Sequence, residues 1–146
     1  MARTIIGIIV GYVLMFLLNF AGFVTMYVML GPEGSFEPGL YLASTKFIAV
    51  AFVMILITGA IAGLVCAVIA NGGRAPLALA GAALVIGLLL AIPATMKAQI
   101  SSRRVRAGDV PTMEAGQLAY WPVWCPFAFP FMSAAGILIG GKLKRK

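Results

Sequence analysis

The sequence predicts an all-α integral membrane protein: a four-helix bundle, antiparallel and up-down-up-down, forming a single domain over residues 1–146. Three observations carry that expectation. Four apolar runs, at 4–30, 46–70, 76–96 and 118–141, contain no charged side chain except Lys46 at the very edge of the second. Each reaches the ~20 residues an α-helix needs to cross ~30 Å of hydrocarbon. The chain is 62% hydrophobic with a mean hydropathy of +1.07, well beyond soluble domains, which are about half apolar. The eleven Lys and Arg and the four Asp and Glu fall in the tails and connections.

Span 1 follows Arg3 and is too long for the h-region of a cleaved signal peptide, and no A-x-A pattern closes it. It reads as a retained signal anchor. Gly31-Pro32 stops it, and the connection over 31–44 carries Glu33 and Glu37 among further Gly and Pro. Ser44 or Thr45 can cap span 2 by accepting from its free N–H groups. Span 2 ends at Asn71-Gly72-Gly73, where glycine suits a left-handed C-cap. Pro76, a favoured first-turn residue, then opens span 3, so spans 2 and 3 are expected to form a tight antiparallel hairpin.

Pro93 should kink span 3, because proline removes a backbone donor. Helix-forming residues continue past it, with Lys97, Arg103, Arg104 and Arg106 placed late before Gly108. Asp109-Val110-Pro111-Thr112 reads as the start of a short helix through Leu118. Span 4 then begins with Tyr120-Trp121-Pro122.

Charge sets the expected orientation. One end carries Arg3, Arg74, Lys142, Lys144, Arg145 and Lys146; the other carries Lys46, Lys97, Arg103, Arg104 and Arg106. Six against five is a thin margin under the positive-inside rule. The Arg3 flank and the basic tail favour both termini in the cytoplasm. Tyr27, Tyr41, Tyr120, Trp121 and Trp124 would then meet the outer interface, where amphipathic rings prefer to sit.

Three groups of residues are candidates for function. Gly7 and Gly11, Gly59 and Gly63, and Gly136 and Gly140 recur at a spacing of four, which lets helix backbones approach closely. They form a helix-packing interface, either inside the bundle or toward a partner. Asn19 and Thr25, with Pro122, Pro126 and Pro130, form a candidate polar or partner site. An unpaired amide costs several kcal/mol in hydrocarbon, so Asn19 needs a partner. Prolines four apart in one helix would leave the carbonyls of Pro122 and Pro126 without donors on one side. Lys142, Lys144, Arg145 and Lys146 are candidates for contact with anionic lipid headgroups.

Absences narrow the chemistry. The chain has no His, and its carboxylates Glu33, Glu37, Asp109 and Glu114 lie in connections without motif spacing. No catalytic set, metal site or cofactor motif is present, so an enzyme is not expected. No ionisable group lies within a span, which argues against proton- or sodium-coupled transport. Cys66 and Cys125 sit at opposite depths, too far apart for a disulfide. The net charge of +7 sits on no amphipathic face, so nucleic acid is not an expected partner.

Arg3-Thr4-Ile5-Ile6-Gly7-Ile8-Ile9-Val10-Gly11-Tyr12-Val13, Phe36-Glu37-Pro38-Gly39 and the basic end after Gly140-Gly141 resemble an uncharacterised group of small four-span bacterial membrane proteins. Ala75-Pro76-Leu77-Ala78, Ala91-Ile92-Pro93 and Gly108-Asp109-Val110-Pro111 look like the same group. The resemblance implies a four-helix fold in a bacterial cytoplasmic (inner) membrane and no assigned activity. The chain does not look like the small multidrug transporters, which need a carboxylate in span 1, nor like disulfide-generating oxidoreductases, which need paired cysteines.

The leading expectation is a non-catalytic membrane subunit or scaffold, embedded in the bilayer and packed against other subunits or a second copy. One alternative is an oligomeric channel or facilitator for a small uncharged or anionic solute. Another is an anionic-lipid-binding membrane protein.

Overall fold

A computed structural model describes residues 1–71, 74–105 and 111–144. It contains α1 (Ala2–Ser35), α2 (Thr45–Ile69), α3 (Ala75–Ser101), a short α4 (Thr112–Leu118) and α5 (Cys125–Leu143). Helices α1, α2, α3 and α5 are long and apolar enough to cross a membrane. The protein is an all-α, multi-pass membrane bundle.

Local signals explain most boundaries. At Gly31 the backbone turns to φ 64°, a left-handed value open to glycine, and Pro32 restarts one further turn to Ser35. Ser44 caps α2: its Oγ accepts from the Phe47 N–H at 3.2 Å and donates to the Gly34 carbonyl at 2.6 Å. Two expectations change here. The left-handed residue after α2 is Asn71, at φ 56°, with Ala70 still right-handed; the predicted cap residues Gly72 and Gly73 lie outside the described residues. Helix α3 keeps helical dihedrals through Pro93 and runs on to Ser101.

The packing order is α1 on α2, α2 on α5 and α5 on α3, with α3 closing more loosely on α1. Small residues bring the backbones together. A Cβ added at Gly59 would stand 2.8 Å from the Ser133 carbonyl oxygen, and one at Gly63 would collide with the Ile137 backbone. Gly136 meets the Leu56 carbonyl and Gly140 the Ala60 carbonyl in the same way. Residue numbers rise together along this seam, so α2 and α5 run parallel. On the other side of α2, a Cβ at Gly7 would lie 3.0 Å from the Cys66 carbonyl, and one at Gly11 3.2 Å from that of Ala62. Those numbers run oppositely, so α1 is antiparallel to α2.

Helices α3 and α5 are also antiparallel, with Gly87 against Pro130 and Pro76 against Gly141. The expected hairpin of spans 2 and 3 is therefore joined in sequence but not tightly packed in space. Both helices make their main contact with α5.

Both described ends of the chain share one end of the bundle with Asn71 and Arg74. Core residues there include Cys66, Leu79 and Ile137, all fully buried. At the opposite end the loops are stitched to one another. The Ala43 N–H donates to the Tyr120 carbonyl, and the Tyr120 N–H to that of Tyr41, both at 3.0 Å. Cys125 is buried in this second cluster with Phe47 and Ala51, far from Cys66, and both thiols are free.

Span 4 starts later than its hydropathy implies. Residues 119–124 approach the bundle without helical structure, and α5 begins at Cys125. Trp121 precedes Pro122, a position biased toward extended backbone. Pro126 then falls in the first turn, where its missing N–H costs nothing, and Pro130 alone lies inside the helix.

Candidate functional site

Helices α1 and α3 meet near the termini, where an added Cβ at Gly11 would lie 2.8 Å from the Leu79 side chain. Toward the loop end a cavity of about 310 Å³ occupies the space between them. Its α1 wall is Tyr12, Met15, Asn19 and Phe23; its α3 wall is mainly Ala83, Gly87, Leu90, Ala91 and Ala94. Pro126, Phe129, Pro130 and Ser133 of α5 form the back, with Ile55 and Trp121. The space exists because α3 turns small residues, Ala83, Gly87 and Ala91, toward it at a spacing of four. Leu90, which lines the cavity and is 61% exposed, stands on its rim.

An aromatic wall separates this cavity from a second one of about 390 Å³ beneath α4, because Phe23, Trp121 and Phe129 line both. Trp121 stands edge-on to Phe129, with centroids 4.9 Å apart, and 5.7 Å from Phe23. Such edge-to-face pairs contribute about 0.5–1.5 kcal/mol each beyond area burial and hold the indole in place.

Polar groups in the first cavity are few and placed by α2. The Asn19 Nδ2 donates to the Met15 carbonyl at 2.9 Å, and its Oδ1 accepts from Thr58 Oγ1 at 3.1 Å. Asn19 thus finds the interhelical partner it needs, on α2 rather than on the proline carbonyls of α5. An amide carries two N–H bonds, so one remains without a partner among the described residues. Ser133, only 9% exposed, makes no side-chain hydrogen bond among them either. The Pro126 carbonyl has no i+4 donor because Pro130 lacks an N–H.

Other predicted site residues fall elsewhere. Thr25 is exposed, returns its hydroxyl to the Ala21 carbonyl at 2.8 Å and does not reach the cavity. Pro122 lies outside α5, and its carbonyl accepts from the Cys125 N–H at 2.9 Å, so it is not orphaned. All of Gly7, Gly11, Gly59, Gly63, Gly136 and Gly140 pack within the bundle.

In the basic tail, Lys142 is exposed, while Arg145 and Lys146 lie outside the described residues. Lys144 donates to the Ala67 carbonyl at 3.0 Å and to Asn71 Oδ1 at 3.3 Å. Its ammonium therefore closes the C-terminus of α2, where the helix dipole favours a cation.

Sequence reasoning passes over Ser133, Trp121 and Phe129 as cavity residues. The available signal was the small-residue stripe of span 3, which has no bulky side chains to fill the space beside Asn19. Among the described residues no three His, Cys, Asp or Glu side chains gather as metal ligands.

Fold and cavity together define a class: a multi-pass membrane bundle with a mostly apolar pocket between its helices. No family model, curated protein or solved structure matches the chain.

Proposed function

We propose that this chain is a non-catalytic membrane protein that holds one lipid-type chain in the cavity between α1 and α3. The carrying observation is the cavity itself: apolar on nearly every side, between membrane-spanning helices, with the exposed Leu90 at its rim. The space is lined almost wholly by apolar side chains, and apolar cavities stay dry. Lipid chains are the molecules available to fill it. Leu79 and Ile137 are packed with Met15 of the cavity wall in the core toward the termini, which disfavours the channel reading. We place the protein in a bacterial cytoplasmic membrane with both termini inside. Arg3, Arg74 and Lys142 would then face anionic headgroups.

A second reading, a subunit of a larger assembly, has one supporting observation. The outward face of α1 presents Phe16 and Phe20, 64% and 65% exposed, to whatever surrounds the bundle.

Native mass spectrometry from a mild detergent tests the proposal. Wild-type protein should carry one lipid-sized adduct per chain, and Ala94→Phe, which fills the cavity, should lose it. Bare protein in both cases contradicts the proposal. A stoichiometric second polypeptide would favour the subunit reading.

A further inference from the structure

Two unspent hydrogen-bonding groups line the same cavity from its α1 wall and its α5 back, and α2 fixes them at one depth. Thr58 bonds Asn19 at 3.1 Å, and its neighbour Gly59 packs against Ser133, where an added Cβ would lie 2.8 Å from the carbonyl oxygen. A single turn of α2 therefore sets the level of both side chains. One Asn19 N–H and the Ser133 hydroxyl have no partner among the described residues. A helical serine ordinarily returns its hydroxyl to a carbonyl one turn back, as Thr25 does to Ala21 here. Ser133 does not, although it is only 9% exposed. The Pro126 carbonyl, without its usual donor, lies on the same face of α5 toward the loop end.

No Asp, Glu, Lys or Arg lines this cavity. A charged headgroup would be buried without a counter-ion, which costs far more than burying a neutral polar group. A fully apolar ligand would leave all of these groups unsatisfied.

We infer that Asn19 and Ser133 form a hydrogen-bonding site for the uncharged polar group, a hydroxyl or carbonyl, of an otherwise apolar membrane-soluble ligand. This rests on the reading that the cavity holds a lipid-type chain, and adds the chemical class of what is held. The ligand oxygen accepts from the free Asn19 N–H and from Ser133 Oγ. The ligand's hydrocarbon part lies along Ala91 and Ala94 toward the mouth.

Photolabelling in nanodiscs tests the inference with three diazirine probes of equal chain length: a long-chain alcohol, the matching hydrocarbon and the matching carboxylate. In wild-type protein the alcohol should label cavity peptides most strongly. Ser133→Ala should weaken alcohol labelling about fivefold, the size of one neutral hydrogen bond, and leave hydrocarbon labelling unchanged. Ala94→Phe should abolish both. Equal alcohol labelling of wild type and Ser133→Ala, or stronger labelling by the carboxylate, overturns the inference while the cavity reading stands. Failure of every probe to label the cavity removes both.

Discussion

Thr58 Oγ1 lies 3.1 Å from Asn19 Oδ1 and joins α1 to α2 through a side-chain hydrogen bond at membrane depth. The same hydroxyl also sits 3.1 Å from the Ile55 carbonyl of its own helix, so the interhelical bond competes with a local one. Thr58→Val keeps the shape and removes the donor. It should lower stability by about 0.6–2 kcal/mol, the range for interhelical bonds in membranes. Reversible unfolding in mixed micelles measures this. The loss should largely vanish in an Asn19→Leu background, because the two side chains act as a pair.

Glycines provide a paired comparison. Gly63 faces the Ile137 backbone with no room for a Cβ, whereas nothing lies within 4 Å of a Cβ placed on Gly81. Gly63→Leu should destabilise the bundle by at least ~1–3 kcal/mol through overpacking. Gly81→Ala should be neutral or stabilise by up to ~1 kcal/mol, since helical glycine costs about that much. Thermal unfolding in detergent checks both. Equal effects at the two sites would contradict the α2–α5 seam.

The spans, their alternation and the glycine contacts were legible because each depends on a local property: run length, charge placement or spacing of small residues. The hairpin and the start of span 4 were not. Hydropathy cannot distinguish a helix from the non-helical Tyr120–Trp124 segment, since both are apolar. Likewise, a short connection between α2 and α3 constrains their ends but not which helix fills the space between them. At the site, Asn19 stood out as an amide in an apolar run, and Pro126 and Pro130 as breakers. Thr25 looked equivalent to Asn19 in the sequence, yet six residues on it lies about a third of a turn around the helix, is exposed, and returns its hydroxyl to Ala21. Ser133 became distinctive only when its missing hydrogen bond was visible.

Lys144 supplies a third prediction. Its Nζ donates to the Ala67 carbonyl at the C-terminus of α2, so Lys144→Met should cost about 0.3–1 kcal/mol of stability. Lys142→Met should cost less, because Lys142 is exposed. Chemical unfolding of the two variants side by side provides the measurement.

The proposed orientation, with both termini inside, is open to a direct test. Gln117 of α4 is exposed at the opposite end of the bundle, and both native cysteines are buried. A Gln117→Cys variant should react with a membrane-impermeant thiol reagent in intact cells. Labelling that appears only after permeabilisation would reverse the orientation.

The central claim, that the cavity holds a lipid-type chain, is tested most directly at Trp121, which lines both cavities. The protein has two tryptophans, so Trp124→Phe leaves Trp121 as the sole reporter. Its fluorescence is then read in bilayers whose acyl chains carry bromine, a contact-range quencher. Chains entering the cavity should quench Trp121 strongly, and adding Ala94→Phe should relieve most of that quenching. Quenching that is weak in the reporter protein, or unchanged when the cavity is filled, would contradict the account.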